Sequence, residues 1–269
     1  MSHKYARTFV VKYGGAAMRT DGGAAEDPLL CEIAGLCASG ARVVVVHGGG
    51  PEIDAALALR NIETERIDGM RVTDGATLGV VEATLCGTLN KRLVRAALAL
   101  GLPAVGVSGE DGAMLAARRA VGASGRDLGY VGEIAETDVR VVRNLLDGGF
   151  LPIVAPLAVS REDWRPYNVN ADLAAAAIAA ALRADAFILA TNVSRVRRDP
   201  QDASSGIDAL TADEALRFIA SDACRSSMKP KLQAAAEGVA NGAARAYICS
   251  LKANTIAAAL AGDATIVRE

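Results

Sequence analysis

Lys12 lies near the end of an apolar run, in VVKYGGAAM (Val10–Met18), and two residues later come Gly14 and Gly15. The stretch VVVVHGGGPEID, Val43 to Asp54, repeats the arrangement with His47, Gly48, Gly49 and Gly50 ahead of a helix-like run. A third set, GVSGEDG (Gly106–Gly112), follows another apolar run. Glycine loses more conformational freedom on folding than any other residue, so three such sets need a reason. At the carboxyl ends of parallel strands they let bare N–H groups approach a ligand closely, and the following helix N-terminus favours an anion. Tight strand-to-helix turns also use glycine, so each set alone admits either reading. Three together, one with a lysine at the strand end, favour phosphate.

Other side chains are ambiguous taken singly. Lysines such as Lys12 commonly snorkel to water, and Lys231, in SSMKPK, reads alone as a solvated charge. Asp172, in YNVNADLAAAA, begins an alanine-rich helix, where the dipole favours a carboxylate anyway. Arg71, in GMRVTDG, could fork onto a carboxylate or sit on a hairpin surface. Asn168 and Asn170 suit a turn and a helix cap. There is no G-x-x-x-x-G-K-[ST] loop and no G-x-G-x-x-G fingerprint. The only histidines are His3 and His47, which makes a Ser-His-Asp triad improbable.

The elements needed to hold these residues are legible as a rhythm. Strands are expected at Phe9–Tyr13, Val43–Val46, Ala104–Val107, Leu151–Val154, Phe187–Ala190 and Ala246–Cys249. Helices are expected at Asp27–Ala38, Pro51–Leu59, Ala76–Leu100, Val139–Leu146, Ala171–Leu182, Ala212–Ala220, Lys231–Val239 and Asn254–Leu260. That alternation predicts a mainly parallel sheet covered by helices. Glu65–Gly75 and Gly125–Asp138 break it and read as hairpins or lids. Any lobe boundary is compact and falls near Arg183–Asp185.

Half the 269 residues, 51%, are hydrophobic, and 29 basic residues against 31 acidic ones give a net charge of −2. That balance offers no support for a nucleic-acid or anionic-membrane partner. No apolar run reaches the length of a membrane span. Five cysteines without a C-x-x-C pair suit reduced thiols, so a cytoplasmic setting without a secretory signal is expected.

In this order, VVKYGGAAM, VVVVHGGGPEID, DGMRVTDG, CGTLNKRLV, GVSGEDG, GYVGEI, PIVAPLA, YNVNAD and MKPK resemble the amino-acid kinase superfamily, and within it the N-acetylglutamate kinases. The motifs run from Val10 to Lys231, and as an ordered set they are specific. The resemblance implies an open three-layer αβα sandwich. Residues 1–183 would form the amino-acid-binding and dimerisation lobe, and 184–269 the nucleotide-binding lobe. The reaction implied is transfer of the γ-phosphoryl group of ATP to the side-chain carboxylate of N-acetyl-L-glutamate, a step of arginine biosynthesis. Lys12 and Lys231 would neutralise the transferring charge and Asp172 would hold both lysines. Gly14, Gly15, Gly48 and Gly49 would offer N–H groups to the phosphoryl and the substrate. Arg71 would clamp the substrate α-carboxylate, and Asn168 and Asn170 would complete the substrate site. Thr191, Asn192, Val193, Ser194, Arg195, Val196, Arg197, Ala223, Cys224 and Arg225 would border the nucleotide, with Mg²⁺ carried by its phosphates and no metal site in the protein.

Two departures stand out. TNVSRV (Thr191–Val196) occupies the place of T-D-V-P-G-V, with Asn192 for the aspartate and Arg195 for the glycine. SSMKPK stands where G-G-M-x-P-K is usual. The closing NTIAAALAGDATIVRE leans towards the related kinases that phosphorylate aminoadipate or glutamate on a carrier protein, and the altered loop leaves a non-catalytic metabolite-binding relative open. The first strand begins after about eight residues, without the preceding helix by which arginine-inhibited hexameric members interlace, so an arginine-insensitive homodimer is expected.

Overall fold

The computed structural model describes residues 6–14, 27–67, 69–122, 125–199, 201–221, 223–225, 227–251 and 254–269. The chain begins with β1 (Thr8–Tyr13), α1 (Pro28–Ala38), β2 (Arg42–His47), α2 (Gly50–Ala58) and the short pair β3 (Arg66–Ile67) and β4 (Met70–Arg71). Next come α3 (Gly75–Glu82), a π-helical stretch at Ala83–Leu89 and α4 (Asn90–Ala99). The middle of the chain holds β5 (Ala104–Ser108), β6 (Leu115–Val121), β7 (Asp127–Thr137), α5 (Arg140–Asp147), β8 (Leu151–Ala155), β9 (Leu157–Val159) and β10 (Pro166–Val169). The remainder is α6 (Ala171–Leu182), β11 (Ala186–Thr191), β12 (Ala209–Thr211), α7 (Ala212–Ile219), α8 (Lys229–Ala240), β13 (Ala246–Ser250), α9 (Thr255–Leu260) and β14 (Thr265–Arg268).

Eight strands form one sheet in the order β12-β14-β13-β11-β1-β2-β8-β5, parallel except where β14 meets β13. Its six inner and right-hand strands are the six predicted. Their continuous apolar runs suit strands covered on both faces. Val10, Val44 and Val46 pack with α5, α6, α7 and α8 on one side, whereas Phe9, Val11, Val43 and Val45 pack with α1, α2, α4 and α9 on the other. The result is the expected three-layer αβα sandwich. Residues 186–268 build one half of the sheet and residues 8–155 the other, joined where β1 pairs with β11.

All eight predicted helices form, with one change. The single helix expected at Ala76–Leu100 is a continuous run of α3, the π-helical turn and α4. Thr211 and Glu214 make the reciprocal capping box that starts α7, at 3.1 and 2.8 Å. The hairpin expected within 65–75 is present as β3 and β4. The segment 125–138 is one arm of a hairpin whose other arm, β6, went unpredicted; β6, β7, β9 and β10 close into a four-stranded ring beside the main sheet.

Candidate active site

β1 carries Lys12 to the carboxyl edge of the sheet, and α6 starts opposite it. Asn170 caps α6, its Oδ1 accepting from the backbone N–H of Asp172 (2.8 Å) and Leu173 (3.3 Å). That cap fixes Asp172 in the first turn, where its carboxylate pairs with Lys12 Nζ at 2.7 Å and Lys231 Nζ at 3.2 Å. Lys231 comes from the first turn of α8, which begins with Lys229-Pro230. Asp172 is 5% exposed. Burial alone would push its carboxyl up, but the two ammoniums and their hydrogen bonds outweigh this and hold it below the usual range. The trio carries one net positive charge, a fit for an anion arriving between the lysines.

The trio opens on a cleft of about 1210 Å³. Lys12, Gly48, Gly49, Arg71, Asn168, Asn170, Asp172 and Lys231 all line it, so the structure brings together all three proposed catalytic residues and all five proposed substrate residues. The Gly48 N–H, expected to face a ligand, instead donates to Tyr13 O at 2.9 Å and extends the β1–β2 ladder. Gly49 and Gly50 are therefore the glycines of this turn whose N–H groups meet no backbone partner among the described residues. A Cβ on Gly49 would lie 2.4 Å from Leu89 Cδ1 and 2.7 Å from Leu85 Cδ2, so packing against the π-helical turn also demands glycine here. Arg71 is buried and pairs with Asp54, donating also to Thr64 Oγ1 (3.1 Å) and Gly50 O (3.4 Å). Asn168 donates to Thr73 Oγ1 at 3.3 Å.

Outside the cleft the expectations fare differently. A Cβ on Gly14 would stand 3.3 Å from Ala190 O and 3.7 Å from Lys12 Nζ, and Gly15 lies outside the described residues. The third glycine set does not line the cleft. Its turn closes on itself, with Ser108 N–H donating to Asp111 Oδ2 at 2.6 Å, and a Cβ on Gly109 would meet Leu157 O at 2.2 Å. Residues Thr191 to Arg197, from the end of β11 onward, and Ala223 to Arg225, before α8, do not line that cleft. Thr191 closes a small turn with Val193 (3.0 Å). Two of the group need correcting as side-chain contacts: Val196 and Cys224 sit in the core at 1% and 5% exposure. Arg195, in the place of the family's glycine, pairs with Asp208 and donates to Gly262 O at 2.9 Å.

The residue pattern of the amino acid kinase family matches residues 7–250. The chain belongs to the amino acid kinase family. Among curated relatives of this amino acid kinase, the acetylglutamate kinase of Rubrobacter xylanophilus is 42% identical over 265 residues, covering 98% of each chain. That of Brevibacillus brevis is 40% identical over 256 residues, covering 95% of this chain and 94% of its own. Among solved structures, N-acetylglutamate synthase of Neisseria gonorrhoeae, complexed with coenzyme A and N-acetyl-glutamate, superposes with a TM-score of 0.81 at 25% identity. The match covers 98% of this kinase but 59% of the synthase. Carbamate kinase of Giardia lamblia bound to AMP-PNP shares the fold, with a TM-score of 0.68 at 16% identity.

Sequence reasoning missed two residues of the cleft region. Arg66 lines it from β3 and pairs at 3.1 Å with Asp54, the same carboxylate that holds Arg71. Asp54 lies in the stretch PEID on α2, and no local spacing signals a partner 17 positions on.

Proposed function

We propose that this amino acid kinase transfers the γ-phosphoryl group of ATP to the side-chain carboxylate of N-acetyl-L-glutamate. The observation that carries the reading is the Lys12–Asp172–Lys231 cluster at the floor of the cleft. A glutamyl carboxylate, with an ordinary pKa of about 4.3, is already ionised at neutral pH. The nucleophile therefore needs no general base. What the protein must supply is alignment and neutralisation of charge on a loose phosphoryl transition state. Lys12 and Lys231 are poised for the second task from opposite sides. Asp172, shared between them, keeps two like charges close without mutual repulsion. Arg71 suits the substrate α-carboxylate, with Asn168 and Asn170 beside the acylated amino group.

Residues 1–183 would take the amino acid and pair two copies into a homodimer, and residues 184–269 would take the nucleotide along Thr191–Arg197 and Ala223–Arg225. The division is supported by the sheet, whose two halves come from those two parts of the chain. Leu59 and Leu98, both in the first part, are exposed apolar side chains that a second copy could cover. Mg²⁺ would arrive on the phosphates of ATP as part of the substrate: among the described residues no cluster of three or more His, Cys, Asp or Glu could hold it, and both Asp172 oxygens face lysines. A cytoplasmic setting accords with the absence, among the described residues, of a helix long and apolar enough to cross a membrane.

The test is ADP release with Mg²⁺-ATP and N-acetyl-L-glutamate, with hydroxylamine trapping the acyl phosphate as hydroxamate. Hydroxamate from the native chain, lost in Lys231→Ala, is the expected result. Folded protein that forms none would overturn the reading, and the carrier-protein-linked substrate would then be tried.

A further inference from the structure

The turn that presents Gly49 has a buried polar support reaching across three strands. His47, the last residue of β2, is fully buried, and its Nδ1 lies 2.9 Å from Gly48 O. Asn90, the first residue of α4, is 1% exposed and sits on the other side of the imidazole, with its Nδ2 3.4 Å from His47 Nε2. The same Nδ2 lies 2.8 Å from Ile153 O on β8 and 3.3 Å from Val107 O on β5. Gly106 leaves the space for this amide, since a Cβ there would stand 1.9 Å from Asn90 Oδ1.

The protons in this chain of contacts can be placed by elimination. Two backbone carbonyls accept only, so the amide group facing them must be the NH₂ of Asn90. That NH₂ has two hydrogens for three acceptors, so one is shared between Val107 O at 3.3 Å and His47 Nε2 at 3.4 Å; facing a group that only donates, Nε2 is the lone-pair nitrogen of a neutral ring. The ring proton is left on Nδ1, where it donates to Gly48 O. In a planar trans peptide the carbonyl of one residue and the N–H of the next point in opposite directions. Tying Gly48 O back to His47 therefore turns the Gly49 N–H away from the core, on the side of the cleft that Gly49 lines.

We propose that Asn90 is a positioning residue for phosphoryl transfer: it holds His47 in the Nδ1–H tautomer, and His47 holds the Gly48 carbonyl so that the Gly49 N–H faces the incoming anion. The inference rests on the reading above that an anion is bound against this turn. Burial lowers the His47 pKa to about 4, with the nearby Arg92 charge acting in the same direction and the hydrogen bond to Gly48 opposing it, so the ring stays neutral in the range where the kinase would work. Free histidine prefers the other tautomer, so the protein has to impose this one.

With only two histidines in the chain, ¹⁵N-histidine NMR of the full-length protein reads His47 directly, and a His3→Gln variant identifies its signals. The expected spectrum shows a protonated Nδ1 and an unprotonated Nε2 at neutral pH, without any ligand. In Asn90→Ser the two tautomers should mix, and kcat in the hydroxamate assay should fall about tenfold with KM for both substrates within about threefold, the signature of a misaimed donor rather than lost binding. His47→Gln, which keeps a side-chain N–H near Gly48 O, should retain more turnover than His47→Phe. A native spectrum with the proton on Nε2 would overturn the proposal. So would mixed tautomers with unchanged kcat, or equal turnover in the Gln and Phe variants. If Asn90→Ser does not fold, the native spectrum and the two His47 variants still decide. If the native chain forms no hydroxamate, the reaction reading fails, and the spectrum still reports on the tautomer.

Discussion

At the end of β2 a glycine turn opens beside two ammoniums and a guanidinium, whereas at the end of β5 a glycine turn of the same sequence character opens among carboxylates. The first lies on the cleft with Lys12, Lys231 and Arg71 around it. The second has the Asp111 carboxylate folded onto the N–H of Ser108, and Glu110 near the charges of Glu82 and Asp111. Burial, with those two neighbouring charges added, pushes Glu110 up to about 7. Bare N–H groups are weak attractors by themselves; the sign of the surrounding charge decides whether a turn recruits an anion or simply reverses the chain. Several experiments would break or sharpen that contrast.

The largest effect is expected from Asp172→Ala. Both lysines would keep their charge without a counterion beside them, one of them largely buried. Removing one partner of a buried ion pair typically costs about 3–5 kcal/mol, and kcat should fall on the order of 10³-fold as the lysines lose their placement. Because the folded-state pKa of Asp172 lies below its unfolded value, its contribution to stability is present above about pH 4 and fades as acid protonates the carboxylate. Denaturant midpoints from pH 3 to pH 7 should therefore converge for native and variant chains at the acid end. A constant gap across that range would show that Asp172 acts through packing and not through charge.

Next in size is Arg71→Ala. A guanidinium that clamps a substrate carboxylate contributes about 2 kcal/mol of binding, so KM for N-acetyl-L-glutamate should rise on the order of 30-fold with KM for ATP nearly unchanged. Equal rises in both constants would remove Arg71 from the amino-acid side of the cleft.

A paired substitution compares the two turns directly. Gly49→Ala drives a methyl into Leu85 and Leu89, and Gly109→Ala drives one into Leu157 O. Both should destabilise by roughly 1–3 kcal/mol. Only the first should lower turnover in the protein that remains folded, and adding Leu85→Ala to Gly49→Ala should recover stability more than activity. Full recovery of activity would mean that Gly49 is kept for packing alone.

How much of this was legible depends on whether a signal is local. The strands of β1, β2, β5, β8, β11 and β13 are apolar runs that announce burial on two faces, and the capping box of α7 announces its own start. The ring strands β6, β9 and β10 do not. LAARRAV places Arg118 and Arg119 in mid-strand, LAV is three residues long, and PYNV opens with proline. They are strands because they pair with one another, which no single segment reveals. Lys12, Asp172 and Lys231 could be singled out by residue type and position, but their union is a fact of tertiary structure, with 160 and 59 positions between successive members. The π-helical turn left no mark in the periodicity of residues 76–100, yet it sets Leu85 and Leu89 against Gly49. The nucleotide-side loop was read from resemblance, and the partners of Arg195 there, Asp208 and Gly262, lie 13 and 67 positions away, beyond any local signal.

The smallest effect tests the acidic turn. An isolated glutamate titrates near 4.5, but in the folded protein Glu110 holds its proton up to about pH 7. Between those values the folded chain carries a proton that the unfolded chain has released. Raising the pH through this window must therefore remove stability, the opposite direction from Asp172. The loss should be of the order of 1 kcal/mol, since solvent reaches part of the carboxyl and screens its neighbours. Glu110→Gln cannot lose a proton, so it should match the native chain in thermal stability at pH 5 and exceed it at pH 8. Its hydroxamate activity should be unchanged at both, because the turn after β5 takes no part in the cleft. A stability gain of equal size at both pH values would mean that Gln simply packs better than Glu, and that the charge contrast between the two turns is weaker than their residues suggest.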